Sequence, residues 1–587
     1  MRWDTVCIPW ETSGSLVLRS RACTKDEEDV WGRRCSGQGR EEKGMFMKTE
    51  MTRRNFIVTA GIAGAALASL TACGASNASA PETEAVVEGT VEKPGLARSA
   101  GSRTVEADVC VVGLGAAGLL AAYGAAQQGV KVVALDLAES MMGVTNVLTS
   151  APFAVGSRLQ EDSSDPLTIK EAMDFFNNGL NHQLNQKALR NILEASGRAV
   201  NAFIDHGMQF KVDFANTDST TPIPTRADCW YGLKGEDRAA VFTDMMESSG
   251  VDCYFGTTAT GIILESGKVT GVQAESKDAI VDFKAKEIVV ATGGFLGNEE
   301  KVAQYFGGAK IVCMGNAANT GVGLDMALAA GAQIGKCFSI SMNEYGGANM
   351  AASSKFSFRP NQGTNEAMRL PVFGGLLVDS LGERFIDEGF MCEKTMFAAE
   401  PIVREGYHYA VCDEAFMKRW ESEALPTYLG DARMKKMFDG VVASDIRDQF
   451  DTAVSEGWAF KADTIEDLAA HFELPHLAET IVSYNALCET GEDGEFFKDA
   501  SYLAALSEAP YYIVQSQPAG WLSLGGIKTD GFSQALDASN KVIDGLFVAG
   551  ADADLFPSPY YCAGLGNGFS IASGLLAGER AGKLAKS

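Results

Sequence analysis

Val109-Cys110-Val111-Val112 runs directly into Gly113-Leu114-Gly115-Ala116-Ala117-Gly118, and the reading of this passage decides the fold. The four apolar residues predict a buried parallel strand. The glycines that follow have G-x-G-x-x-G spacing. The first permits a tight turn, the second lets the backbone approach a pyrophosphate, and the third lets the next helix pack on the strand. The start of that helix then faces the phosphates with its N–H groups. Helix-forming residues continue from Ala117 to Gln128, a second apolar strand follows at 130–135, and Asp136 closes it. A carboxylate there is placed to accept hydrogen bonds from a ribose diol. Strand, glycine turn, helix, strand and acid in this order predict a nucleotide-binding α/β domain that begins near residue 105.

The whole chain has 587 residues, 46% of them hydrophobic, with 50 Lys+Arg against 76 Asp+Glu and a net charge of −26. It is long enough to bury large cores. No basic stripe is present to track a phosphate backbone, so nucleic acid is excluded as a partner. Residues 1–44 have no sustained period and read as an untranslated or disordered extension. Residues 45–72 hold an export signal: Arg53-Arg54 precede a weakly apolar run from Ile57, which ends at Leu70-Thr71-Ala72-Cys73-Gly74. This is a twin-arginine pattern closed by a lipobox-like cleavage site, with Cys73 as the lipid-bearing first residue. The run is too short and too rich in Ala and Gly to read as a membrane span. Residues 73–104, rich in Ala, Ser, Glu, Gly and Pro, read as a flexible tether. The expected location is therefore outside the cytoplasmic membrane, held to its outer face by lipid.

A further apolar stretch at 286–291 ends in Thr292-Gly293-Gly294-Phe295. Ala-Thr-Gly-Gly at that distance from the first glycine motif is the second signature of FAD-binding two-dinucleotide-domain flavoproteins. Leu524-Gly525-Gly526-Ile527 and Ile543-Asp544-Gly545-Leu546-Phe547-Val548-Ala549-Gly550 add to it. With these segments the chain, over residues 105–587, resembles the flavoprotein family of fumarate reductases, urocanate reductases and 3-ketosteroid dehydrogenases. The resemblance implies FAD as cofactor and an α/β fold in which a split Rossmann-like FAD-binding domain carries an inserted α+β capping domain. The implied boundaries are 105–335 and 511–587 for the two FAD-binding parts and 336–510 for the cap. The cofactor-binding residues it implies are Gly113, Gly115, Ala117, Gly118, Asp136, Thr145, Ala259, Thr292, Gly293, Gly294, Gly550, Asp552, Gly568 and Phe569. Asp552 stands in for an acid or amide that the family places directly after Gly550, where this chain has Ala551.

The chain departs from the family where small dicarboxylates are gripped. Leu522 occupies the histidine position, Ala563 an arginine position, and Cys392 the proton-donating arginine position eight residues after Arg384. The five histidines, at 182, 206, 408, 471 and 476, lie outside the family's active-site segments. The segment Tyr560-Tyr561-Cys562-Ala563-Gly564 instead resembles the ketosteroid dehydrogenases, in which a tyrosine and a glycine four residues later hold the substrate's ketone oxygen. A hydroxyl and a backbone N–H aimed at an oxygen that gains charge form an oxyanion hole. The expectation is hydride exchange between the flavin and the β-carbon of a small hydrophobic enone, a ketosteroid or an unsaturated lactone. Cys392, Tyr561 and Tyr345 are the candidates for proton delivery. Two alternatives stay open. One is a reductase of small unsaturated acids using Arg359 or Arg384; the other is a lipoprotein that binds flavin or steroid without turnover.

No C-x-x-C occurs, so zinc and sequence-clustered iron–sulfur sites have no direct support and no metal is expected. Cys337, Cys392 and Cys562 map near the expected cleft and leave a cluster of distant cysteines open. With no haem attachment motif and no second nucleotide fingerprint, electrons are expected from an external carrier: a cytochrome, a flavoprotein or a quinol-linked protein.

Overall fold

A computed structural model describes residues 101–144, 152–161, 163, 166–179, 182, 184–212, 229–335, 339–340, 344–347, 365–393, 399–424, 439–555 and 565–587. The expected leader, export signal, Cys73 and most of the tether lie outside the described residues, as do Thr145, Arg359, Tyr560, Tyr561 and Gly564. Among the described residues no helix is long and apolar enough to cross a membrane.

The elements that frame the site are, in chain order, strand β1 (Val109–Val112), helix α1 (Ala116–Ala126), strand β2 (Val132–Leu135), helix α2 (Gln186–Asp205), strands β3 (Asp252–Tyr254), β4 (Glu287–Val290), β5 (Tyr511–Gly520), β6 (Gln534–Leu536) and β7 (Val542–Val548), and helix α3 (Leu565–Lys586). Six of the strands form one sheet in the order β6-β7-β4-β1-β2-β3. All neighbours are parallel except β6 and β7. β1, β2 and β4 are buried along their whole lengths, as parallel strands covered on both faces must be; this is why they read as unbroken apolar runs. The fold is the mixed α/β one expected from the glycine motif.

Helix α1 is apolar all round and is built largely of Ala, the residue with the best helix propensity. It is buried between the sheet and α3 because α3 presents a glycine every fourth residue. A Cβ on Gly574 would lie 2.0 Å from Ala117 O, and one on Gly578 would lie 1.9 Å from Ala121 O. The third glycine of the ladder, Gly582, would place a Cβ 2.9 Å from Ala125 O. The two backbones touch along this stripe, and α3 thereby fastens the end of the chain to its first nucleotide-binding unit.

A second, four-stranded sheet contains Gly101–Glu106, Ala279–Lys284, Lys268–Ser276 and Thr257–Glu265. The first pair is parallel and the others antiparallel. Strand β5 is the centre of a third sheet. Its first half pairs antiparallel with His408–Asp413 and Ala459–Ala462, and its last two residues pair parallel with Val312–Cys313. Residue 511, where the second FAD-binding part is expected to begin, is the first residue of β5, and the partners of β5 come from both sides of the boundary expected at 335.

Candidate functional site

In an open parallel sheet the ligand lies outside the carboxyl ends of the strands. At the end of β1, Gly113 adopts φ +90, and a Cβ there would sit 2.4 Å from Ala291 O at the end of β4. A Cβ on Gly118 would lie 1.7 Å from Gly113 O, so α1 rests directly on the turn. Gly115 differs from both, because a Cβ there would meet nothing within 4 Å. Gly115 is also the N-cap of α1, with no side-chain cap and no acidic residue in the first turn. The positive end of the helix thus faces open space with room for a close-approaching anion. These residues fit a dinucleotide pyrophosphate.

The Asp136 carboxylate accepts Leu114 N at 2.7 Å and Ala138 N at 2.8 Å, one on each oxygen. It therefore shapes the glycine loop while each oxygen keeps a lone pair for a ribose hydroxyl. The Asp136 carbonyl accepts Thr257 N at 2.9 Å, which brings the strand of Ala259 alongside. Ala259 is buried and pairs with Ala274. Ala117 is buried against Gly550, whose N–H donates to Ser573 Oγ at 3.0 Å.

At the end of β4, Gly293 and Gly294 adopt φ +91 and +79. The backbone N–H groups of Thr292, Gly293 and Gly294 all donate to the carboxylate of Asp552, as does Thr292 Oγ1. Asp552 is 1% exposed. Burial pushes its carboxyl up from the ordinary range, and the hydrogen bonds from Gly294 and Thr292 oppose that rise. The amides that the family resemblance directs toward a cofactor are engaged by Asp552. Ser523, which no motif identified, accepts Phe295 N at 2.8 Å and packs on Gly294.

Gly568 and Phe569 sit within an aromatic cluster. A Cβ on Gly568 would fall 2.1 Å from Phe153 Cδ1, and the buried Phe569 ring stands edge-on to Phe153 and Phe176 at 5.4 and 5.5 Å. Cys392 belongs to the helix Glu388–Glu393, and Tyr345 to a strand paired with β5 opposite Pro518. Among the described residues no group of three or more His, Cys, Asp or Glu could hold a metal ion.

Arg384, a candidate grip for a substrate carboxylate, is occupied inside the protein. Its guanidinium, 1% exposed, contacts Glu388 at 2.8 Å, Asp493 at 2.9 Å and Glu495 at 3.0 Å. The rings of Tyr484 and Phe496 lie 5.1 and 5.0 Å from it. Three carboxylates around one guanidinium leave it no charge to offer an anion. Four of the five histidines are engaged elsewhere too. His206 stands edge-on to Tyr123, His408 is buried beside Gly406, His471 stacks on Phe460, and His476 faces Glu383.

Comparison with known proteins agrees with this geometry. The FAD binding domain family matches residues 108–568. A vinyl phenol reductase of Lactiplantibacillus plantarum is 26% identical over 468 residues, which cover 76% of this chain and 90% of that protein. A 3-oxosteroid 1-dehydrogenase of Mycobacterium tuberculosis is 26% identical, covering 58% of this chain and 62% of the other. An NADH:fumarate oxidoreductase of Klebsiella pneumoniae is 24% identical over 82% of this chain but only 48% of its own length. Among solved structures, a 3-ketosteroid delta1-dehydrogenase from Sterolibacterium denitrificans shares the fold. Its TM-score is 0.60, with 17% identity over 82% of this chain and 100% of that one. The chain is an FAD-dependent oxidoreductase and belongs to the FAD binding domain family.

Proposed function

We propose that this flavoenzyme adds hydrogen across the carbon–carbon double bond of a neutral conjugated acceptor, such as an enone, an unsaturated lactone or a ketosteroid. It works outside the cytoplasmic membrane, anchored by lipid at Cys73 and supplied with electrons by an external carrier. The observation that carries the neutral-acceptor reading is the enclosure of Arg384 by Glu388, Asp493 and Glu495. A buried substrate carboxylate needs a fixed charge partner, and this arginine has none to spare. Leu522 at the family's histidine position removes a second cation from the same task. Relatives named for a vinyl phenol and for an oxosteroid are consistent with an uncharged acceptor.

FAD, when bound, supplies the hydride-exchanging centre. The chain's own residues then have two tasks. The Tyr560 hydroxyl and the Gly564 N–H donate to the carbonyl oxygen, which gains negative charge as the β-carbon receives hydride. Cys392 or Tyr561 delivers the proton that the α-carbon needs to complete the reduction. The inserted segment excludes water while this happens.

Anaerobic assays with reduced viologen, run on the FAD-loaded protein against enones, vinyl phenols, ketosteroids and fumarate-like acids, test this reading. Neutral acceptors are expected to turn over, and Tyr560→Phe is expected to lower their rate by about 10²-fold. Turnover confined to the acids, or a Tyr560→Phe variant with undiminished rate, overturns it.

A further inference from the structure

Three consecutive backbone N–H groups, those of Thr292, Gly293 and Gly294, converge on a single side-chain carboxylate. The positive φ angles of the two glycines curl this turn into a concave nest of amides, the backbone shape that binds anions. Its anion is internal. Gly293 N reaches Asp552 Oδ2 at 3.1 Å, Gly294 N reaches Oδ1 at 3.0 Å, and Thr292 Oγ1 approaches both oxygens at 3.0 and 3.2 Å. The three backbone N–H groups can only donate, so this environment favours the carboxylate over the protonated acid.

The same residue holds a third stretch of chain. The Asp552 carbonyl accepts Ile527 N at 2.8 Å, and a Cβ on Gly526 would lie 2.0 Å from that oxygen. Ser523 closes the circuit by accepting Phe295 N. Segments 292–295, 523–527 and 550–553, more than two hundred residues apart at the extremes, are thus clasped at the carboxyl ends of β4 and β7. Leu522, at the family's histidine position, directly precedes the middle segment.

We propose that Asp552 is a positioning residue rather than a cofactor contact: its carboxylate latches the Thr292–Phe295 loop to the Ser523–Ile527 loop and keeps a fixed negative charge in the wall of the FAD site. The inference rests on FAD binding and is independent of the identity of the substrate. Two consequences follow from the charge and from the latch separately. A buried anion in a medium of low dielectric opposes the arrival of electrons, so it holds the flavin midpoint potential down. The latch keeps the loop in its cofactor-holding shape, so it slows FAD release.

Purified holoenzyme carrying Asp552→Asn, Thr292→Val or Ser523→Ala separates these effects. FAD release is followed by the rise in flavin fluorescence, and midpoint potential by anaerobic equilibration with reference dyes. Asp552→Asn is expected to release FAD about tenfold faster or more, as befits loss of charge-assisted hydrogen bonds, and to have a more positive potential. Thr292→Val removes one donor and keeps the charge, so release quickens by several-fold while the potential stays in place. Ser523→Ala, which disturbs the loops without touching the charge, also leaves the potential in place. A potential in Asp552→Asn equal to that of wild type, or one that Ser523→Ala moves equally, overturns the proposal. Should Asp552→Asn fail to accumulate as folded protein, an unchanged FAD release rate in Thr292→Val overturns the latch on its own.

Discussion

Arg384 and Asp493 meet at 2.9 Å with side chains 1% and 0% exposed, although 109 residues separate them in the chain. Glu388 binds the same guanidinium, and Lys498, also fully buried, stands 3.4 Å from Glu388. Asp493 accepts a hydrogen bond from Arg384 and others from the N–H groups of Glu495, Phe496 and Lys498, so its removal takes several charge-assisted hydrogen bonds from a buried set, at a cost of about 3 kcal/mol. Asp493→Ala is therefore expected to lower stability by that order in urea unfolding of the holoenzyme.

The pH dependence of that loss has a definite sign. Burial pushes the Asp493 carboxyl up, but its hydrogen bonds from Arg384 and from the backbone of Glu495 and Phe496 outweigh this and hold it well below the ordinary carboxylate range. A carboxyl depressed by folding contributes stability that is complete above its unfolded value of about 3.9 and fades as pH falls below it. Wild type and Asp493→Ala are expected to differ fully at pH 7 and to converge as the pH is lowered below about 4. Unfolding curves that keep a constant gap down to pH 3 would contradict this.

The sequence made the first nucleotide-binding unit readable because everything in it is local. Val109–Val112, the glycine turn, α1, β2 and Asp136 lie within 28 residues, and Gly113 and Gly118 each have a backbone reason to be there. What escaped was built from distant partners. Asp552 finds its donors some 260 residues upstream, and nothing near it in sequence marks it as the anion of an amide nest. Arg384 looked available to a substrate because its carboxylates at 493 and 495 follow more than a hundred residues later. The aromatic cluster of Phe153, Phe176 and Phe569 is likewise assembled from residues up to about 400 apart in the chain. One signal was present and unread: the glycines at 574, 578 and 582, whose four-residue spacing marks a close helix contact.

That glycine ladder makes its own prediction. A side chain at Gly578 has backbone on the other side, 1.9 Å from its first carbon, so no rotamer of a neighbour relieves the collision. Gly578→Val is expected to destabilise the protein by about 1–3 kcal/mol or more by forcing α3 from α1. Because α1 carries the glycine turn, FAD content should fall together with the melting temperature. Loss of stability with full FAD occupancy would show that the two helices separate without disturbing the turn.

Glu287, at the start of β4, is buried at the opposite end of the sheet from the glycine turn. One of its carboxyl oxygens, Oε2, has no hydrogen-bond partner. Burial and the nearby Asp544 push its carboxyl up to about 7, against the pull of Arg580 and Lys286. A carboxyl raised by folding favours the native state while protonated, so this contribution is complete below pH 4.5 and is lost as pH rises through 7. Glu287→Gln keeps the neutral form at every pH. It is expected to match wild type near pH 4 and to be more stable by about 1 kcal/mol at pH 8, after allowance for solvent screening. Melting temperatures across that range provide the check, and a variant less stable than wild type at pH 8 contradicts the sign.

Gly115 and Gly118 belong to one motif but face different surroundings, and alanine should separate their roles. At Gly118 the added carbon would lie 1.7 Å from Gly113 O and 2.7 Å from its carbonyl carbon, so both the fold and the cofactor site are expected to suffer. At Gly115 the backbone has φ −60, which any residue adopts, and the added carbon meets no protein atom within 4 Å. Gly115→Ala should therefore keep a stability within about 0.5 kcal/mol of wild type. The methyl group instead occupies the space through which a pyrophosphate approaches the helix end. Flavin content measured on the purified protein is expected to drop sharply in Gly115→Ala with an unchanged far-ultraviolet spectrum. Full flavin occupancy in that variant would mean that the phosphates bind elsewhere than at the start of α1.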